Sequence, residues 1–335
     1  MNYCGIDVSY KTLDVVLIIK EKALKVRTFD NQATGHKKLL SYLKKHKIQR
    51  VGIESTGYYH LDIALFIQES KSIQIMLINP RASHNFAKAM MQGNKTDAID
   101  AKMLAHFVER MNFIPWIAPQ KAVLELRACG RRLVSLSKDK AKAKNQLHAF
   151  TTTKSCPDVI IKDIELSIQQ LESQINNMTE YALTLVKEKT LLKIKYELLT
   201  SIKGLGEKTA IKIMGELGVL TDDMQAKQWV AHAGLYPRVL QSGSSLNKKI
   251  GIGKSGNRYI REALYMSALS ASRWEPSIRD YYQHLINDNG LKKMQALCAV
   301  MRKMLIAIHQ MLKNNKEFDG NKFYNSPLDN GVKAA

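Results

Sequence analysis

YCGIDVSYKTLDVVLIIKEKALKVRTF, residues 3–29, is the stretch that decides the fold. Residues 3–8 are a short, mainly apolar run with Asp7 near its end. Residues 13–19 are a second run, rich in Val and Ile. Residues 24–29 are a third, after the charged turn KEKA. Three strands joined by short turns predict an antiparallel meander. Downstream the pattern changes. An amphipathic helix over 35–45, a strand over 50–54, a helix over 58–69 and a strand over 73–78 follow in order. Strands alternating with helices add a parallel part to the sheet.

A mixed order of this kind matches the ribonuclease H-like fold, and it gives meaning to four acids. Asp7 lies in an apolar strand, where a charge is costly unless it is used. Glu54 ends the fourth strand, and these strand ends can be neighbours. Asp97 and Asp100, in NKTDAIDAK, are three apart and share a helix face. Four converging carboxylates repel unless cations sit between them. Hard oxygen ligands favour Mg²⁺ or Mn²⁺, and a pair of such ions is the usual apparatus for cutting phosphodiesters. For any one of the acids taken singly, a solvated surface charge is the better reading. Asp14 lies within the second strand with no partner motif.

Pro80 stops the fifth strand, and 81–91 reads as a helix. Residues 94–96 form a basic-polar loop capping a helix over 97–109, and Pro115 and Pro119 mark a domain boundary. Residues 120–150 are helical in pattern. Their second half carries Arg131, Arg132 and four lysines against one acid. A second long helix, 159–189, shows an apolar seam at Ile164, Ile168, Leu171, Ile175, Met178, Ala182 and Leu185. Spacings of four and three predict a helical hairpin or coiled coil. It serves as a spacer, a dimerisation element or a nucleic-acid arm.

LLTSIKGLGEKTAIKIMGELG, residues 198–218, has the form of a helix-hairpin-helix. Gly204 and Gly206 make the hairpin, with Lys203 and Lys208 beside it, and Thr209 and Ala210 begin the second helix. Such a turn binds a backbone phosphate without reading sequence. GLYPR (234–238) then leads into QSGSSLNKKIGIGKSGNRYIR (241–261), read as a flexible serine loop. No acid occurs from Met224 to Arg261, whereas Arg238, Lys248, Lys249, Lys254, Arg258 and Arg261 do. Basic residues neutralise phosphates, and an activated serine is a nucleophile. Helices over 257–273, 277–285 and 290–312 follow, and 317–335 reads as a polar, frayed tail.

Charge supports the same partner. The 335 residues carry 51 Lys and Arg against 30 Asp and Glu, a net charge of +21. The first 115 residues hold 17 basic and 10 acidic residues and the rest 34 and 20, so the excess runs along the whole chain. A polyanion, with nucleic acid first, is the partner this implies. No apolar run approaches the roughly 18 residues of a spanning helix, and the N-terminus lacks a signal-peptide core. Cys4, Cys129, Cys156 and Cys298 are too scattered for a zinc knuckle or a disulfide framework, which suits a reducing cytoplasm.

GIDVSYKTLDV, GIESTGYYH, INPRASHNFAKAMMQGNKTDAIDAKMLAHF, SIKGLGEKTA and GLYPRVLQSGSSLNKKIGIGKSGNRYIREAL occur in the order seen in one family. Over almost its whole length the chain resembles the DEDD-type insertion-sequence transposases, relatives of the Piv invertase and of the bridge-RNA-guided recombinases. The resemblance implies an α/β plus all-α protein. Its parts would be a RuvC-like domain (1–115), a helical linker (116–195), a C-terminal transposase domain (196–316) and a tail (317–335). The catalytic and metal-binding acids carry over to Asp7, Glu54, Asp97 and Asp100. The nucleophilic serine, which precedes a glycine after the G-L-x-P-R-like segment, carries over to Ser242. Where the family often has a basic residue before the G-N pair, this chain has Ser255, a second Ser-Gly.

The implied activity is breaking and rejoining DNA through that serine, assisted by the DEDD Mg²⁺ site. The implied partners are element-end and target DNA, a structured guide RNA and further copies of the chain, as a dimer or tetramer. The implied setting is a bacterial or archaeal cytoplasm, at the nucleoid, with no membrane. A junction-resolving nuclease would need the acids but no serine. A non-enzymatic nucleic-acid-binding protein would need neither.

Overall fold

The computed structural model describes residues 1–55, 57–91, 96–152, 156–242, 246–253 and 255–325, with backbone alone over 239–242 and 246–250. The chain divides into two compact units, Met1–Ala118 and Pro119–Ala335.

The first unit is a mixed sheet with helices on both faces. Strands β1 (Tyr3–Val8), β2 (Thr12–Ile19), β3 (Lys22–Ala23) and β4 (Arg27–Asp30) are followed by helix α1 (Ala33–Lys45). Then come β5 (Arg50–Glu54), α2 (His60–Glu69), β6 (Gln74–Ile78), α3 (Pro80–Ala89) and α4 (Asp97–Arg110). β3 and β4 both pair antiparallel with β2, β2 pairs antiparallel with β1, and β1, β5 and β6 run parallel. The meander is therefore present, with its third strand in two pieces.

Alternation along the strands sorts the two faces. Cys4 and Ile6 of β1 and Val51 and Ile53 of β5 are fully buried, in one cluster with Leu39 and Leu43 of α1 and Ile63 and Ile67 of α2. The opposite face carries Gly5 and Gly52, which are register partners. Helix α4 lies directly on them. A Cβ on Gly5 would sit 2.2 Å from the Ala101 carbonyl oxygen and the Ala105 nitrogen, and one on Gly52 2.4 Å from a Val108 methyl. Glycine at both positions is what lets α4 press onto the sheet, with Leu104 and Val108 buried beneath it.

The second unit is helical apart from one ribbon. Helices α5 (Lys121–Thr151) and α6 (Asp158–Glu188) form an antiparallel hairpin. Ile164, Ile168, Ile175 and Ala182 are buried on the expected seam, but at its end Val186 takes the buried place rather than Leu185. α7 (Thr190–Thr200), α8 (Glu207–Leu217) and α9 (Ala226–Ala233) follow. The second helix of the proposed hairpin motif thus starts at Glu207, two residues before Thr209. Gly204 turns the chain at φ +102°, and a Cβ there would meet the Ala271 nitrogen at 2.5 Å.

The serine segment is not an open loop over its described residues. β7 (Pro237–Ser242) and β8 (Leu246–Ile252) pair antiparallel, with Ser242 opposite Leu246. The chain closes with α10 (Arg258–Trp274), α11 (Pro276–Asn287), α12 (Lys293–Asn314) and α13 (Gly320–Phe323). The frayed tail is also corrected in part. Phe323 is buried, and the Lys303 ammonium lies 4.0 Å from the Tyr281 ring centroid and 5.1 Å from that of Phe323. Residues 326–335 lie outside the described residues.

Candidate active site

Asp7 and Glu54 each stand two residues beyond the paired glycines, so both fall on the α4 face of the sheet. The tripeptides Gly5-Ile6-Asp7 and Gly52-Ile53-Glu54 perform one task twice: a glycine to admit the helix, a core isoleucine, and an acid at the strand's end. Asp97 and Asp100 occupy the first turn of α4. Thr96 caps that turn, its hydroxyl accepting from the Ile99 N–H at 3.3 Å, and a helix N-terminus favours carboxylates.

The other three acids act on Asp7. Asp7 is half-buried, and its carboxyl is pushed up from 3.8 to about 6, first by burial and then by the charges of Asp100, Asp97 and Glu54, against a lowering hydrogen bond from the Val8 N–H. Coulomb range is longer than ligand range, and the two differ here. Among the described residues no three His, Cys, Asp or Glu side chains close into a ready-made metal cage. A partly buried carboxylate held among three others, all hard oxygen donors, fits a divalent cation of the Mg²⁺ or Mn²⁺ type.

One neighbour escaped the sequence reading. The Ser83 hydroxyl donates to Glu54 Oε2 at 2.6 Å from α3. That helix begins beside Glu54 because Asn79 caps it, accepting from the Arg81 N–H at 2.8 Å. Asp14 is the register partner of Asp7 and shares its sheet face, but its carboxylate accepts from Thr28 Oγ1 at 2.5 Å.

In the second unit the ribbon carrying Ser242 rises from a clamped base. The Gly253 N–H donates to the Tyr236 carbonyl at 2.9 Å. Arg261 Nη1 donates to the carbonyls of Ala233 and Gly256, both at 2.9 Å. The Asn257 N–H donates to the His232 carbonyl at 2.7 Å, and Asn257 Nδ2 to Glu216 Oε2 at 2.7 Å. Glu216 is 2% exposed and takes Arg131 Nε at 2.5 Å and Arg127 Nε at 3.2 Å. Burial would raise its carboxyl, but the hydrogen bonds from Arg131 and Asn257 and the charges of Arg127 and Arg131 hold it below the ordinary range. Beside it, burial pushes His232 down, with Glu216 opposing. Ser255 stands at the ribbon's base, its hydroxyl 3.2 Å from that of Tyr236.

The basic residues expected at nucleic acid separate into two groups. Arg131 is turned inward onto Glu216, and Arg261 onto two carbonyls, so both act in the fold. Lys203, Lys208, Arg132, Arg238 and Arg258 are exposed, and Gly204 and Gly206 lead into α8. The backbone places Lys248 and Lys249 in β8, while Lys254 lies outside the described residues.

Comparison with known proteins places both units. Residues 4–154 match the family model described as Transposase (DEDD_Tnp_IS110), and residues 196–283 match that of the Transposase IS116/IS110/IS902 family. The Pilin gene-inverting protein of Moraxella bovis is 28% identical over 324 residues, covering 95% of this chain and 98% of that protein. The transposase for insertion sequence element IS1328 of Yersinia enterocolitica is 27% identical, over 58% of this chain and 63% of that protein. A solved structure, T. thermophilus RuvC in complex with Holliday junction substrate, aligns with 33% of this chain and 96% of that one at a TM-score of 0.28 and 16% identity. At that score the likeness says nothing about the site.

Proposed function

This chain belongs to the DEDD-type insertion-sequence transposases and is a DNA transposase/recombinase, and on that premise we propose that it cuts and rejoins DNA with Asp7, Glu54, Asp97 and Asp100 as a divalent-cation site and Ser242 as the nucleophile. The observation that carries the first half is the placement of Asp7 and Glu54 at neighbouring strand ends on the face covered by α4, whose first turn holds Asp97 and Asp100, with the Asp7 carboxyl raised first by burial and then by the charges of the other three. A Mg²⁺ or Mn²⁺ ion held there supplies positive charge to a phosphoryl oxygen and favours the ionised form of a bound hydroxyl. Glu54 is oriented for that work by Ser83, and Asp97 and Asp100 by the cap on α4.

The second half rests on sequence position and chemistry. Ser242 ends β7, immediately before Gly243. Rejoining strands without an external energy source requires that the phosphodiester energy be kept. In the proposed step the Ser242 oxygen bonds to phosphorus, the bond to one strand oxygen breaks, and that strand leaves as a hydroxyl. The reverse attack by a different strand hydroxyl releases the serine and makes the new joint. Arg238, Lys248, Lys249 and Lys254 are near enough in sequence to balance the phosphorane charge. Helix α8, with Lys203 and Lys208 at its start, holds a backbone phosphate without reading sequence.

A structured RNA that selects the target and an assembly of several copies belong to the same proposal. Sequencing of co-purified RNA and light scattering on DNA complexes test them. The deciding experiment traps the reaction on DNA and maps the protein–DNA adduct by mass spectrometry. An adduct on Ser242, absent in Ser242→Ala with DNA binding retained, is the expected result. An adduct on Ser255, or free ends with no adduct, would overturn the serine assignment.

A further inference from the structure

On the sheet face away from the acids, α1 and β4 enclose a cleft of about 650 Å³. Its wall carries four cations, Arg27, Lys37, Lys38 and Lys45, with Asp30 the one acid among its lining residues. Lys37 and Lys45 fall eight residues apart on α1, two helical steps of four, with Lys38 beside them, so they share one side of the helix. The opposite side of α1 buries Leu39 and Leu43. All four cations are exposed, and among the described residues none is ion-paired.

The cleft also has a stacking platform. The Arg27 guanidinium lies 4.8 Å from the Tyr42 ring centroid and 5.4 Å from that of Phe29. The two rings are themselves 5.6 Å apart at 45°. Structural economy does not require this arrangement: a solvated helix face needs neither an aromatic ladder nor unpaired charge of one sign around a concavity.

The geometry points to a binding site for an unpaired nucleotide and its flanking phosphates, built from Arg27, Lys37, Lys38, Lys45 and Tyr42. Lysines at helical spacing suit successive phosphates of a backbone. A ring already carrying a guanidinium offers a flat surface to a base, the combination that single-strand binders use. A concavity of this volume is of small-molecule size and admits a splayed-out nucleotide, not a duplex. The site lies on the face covered by α1, whereas Asp7 and Glu54 lie on the face covered by α4, so the strand held here is not the one at the acids. The inference rests on the proposed reading only in that the protein handles nucleic acid. The shared ligand chemistry is a single-stranded phosphodiester, from an RNA or from a displaced DNA strand.

The test uses the full chain in EDTA, so no cleavage step enters the readout and the fate of the cation or serine assignments cannot alter it. Affinity for fluorescent single-stranded RNA and single-stranded DNA of mixed sequence is measured by anisotropy across a salt series. In Lys37→Ala/Lys38→Ala/Lys45→Ala, affinity should drop on the order of 30- to 100-fold at about 0.1 M salt, and the log–log salt slope should lose about two. Arg27→Ala should weaken binding with less change in slope. Oligonucleotides bearing 4-thiouridine or 4-thiothymidine should photo-cross-link to Tyr42. A drop confined to RNA identifies the RNA source, and one confined to DNA the displaced strand. Unchanged affinity and slope for both, in variants with wild-type melting, would overturn the site, as would cross-links that map only elsewhere.

Discussion

Replacing Asp7 with Asn should stabilise the metal-free protein at neutral pH. The folded carboxyl, at about 6 against an ordinary 3.8, holds its proton more tightly than the unfolded chain does. Above pH 6 both states are ionised, and the folded state bears the full cost of a charge among three others. As pH falls through 6 the folded protein takes up the proton and the cost shrinks. Below about 4 it has gone. The rise corresponds to at most about 3 kcal/mol. Asp7 is only half-buried, and solvent screening reduces that to about 1–2 kcal/mol. Asp7→Asn should therefore gain about 1–2 kcal/mol at pH 7.5 in EDTA, several degrees in the melting of the first unit. The gain should vanish near pH 4. Scanning calorimetry at pH 4, 5, 6 and 7.5 with EDTA measures it, and excess Mg²⁺ should reverse the order by stabilising wild type alone. A variant no more stable than wild type at pH 7.5, or a difference independent of pH, would refute the burial and crowding of the Asp7 charge.

Gly5→Ala or Gly52→Ala should force α4 off the sheet, costing about 1–3 kcal/mol as overpacking does. Cleavage activity should fall with Asp97 and Asp100 displaced; an active Gly5→Ala protein of wild-type stability would contradict the helix-on-glycine argument. Glu216→Ala should cost about 3 kcal/mol by removing the buried carboxylate that Arg131, Arg127 and Asn257 share, read by urea denaturation of the second unit. The Glu216 contribution is present at neutral pH and is lost as pH falls through its lowered folded pKa, so wild type and variant should converge in acid. Duplex DNA affinity should fall a thousandfold or more between about 50 and 200 mM salt if roughly six or more phosphates are contacted, and a flat response would remove the argument from net charge.

The sheet was legible because its strands are apolar runs with clear turns, and the strand of residues 50–54 coincides with β5 (Arg50–Glu54). The acids were legible as strand-end and helix-face residues. What placed them was available but unread: the repeated Gly-Ile-acid tripeptide at Gly5 and Gly52 marks where a helix must touch the sheet. The serine segment misled because its glycines, serines and lysines lack the apolar alternation that marks a strand. Arg131 and Arg261 misled for another reason. A basic residue's sign does not say which way it faces, and the Glu216 partners of Arg127 and Arg131 lie 89 and 85 residues away. The C-terminal end carries Phe318, Phe323 and Tyr324 among polar residues, and the aromatics, not the average polarity, decide that it packs.

Manganese binding tests most directly whether the four acids form one site. Electron paramagnetic resonance titration of Mn²⁺ into the DNA-free full chain should show binding in wild type. Each of Asp7→Asn, Glu54→Gln, Asp97→Asn and Asp100→Asn should weaken it by about tenfold or more with folding intact. Wild-type Mn²⁺ binding in Asp97→Asn and Asp100→Asn would mean that the start of α4 stands apart from Asp7 and Glu54, and the site described here would not exist.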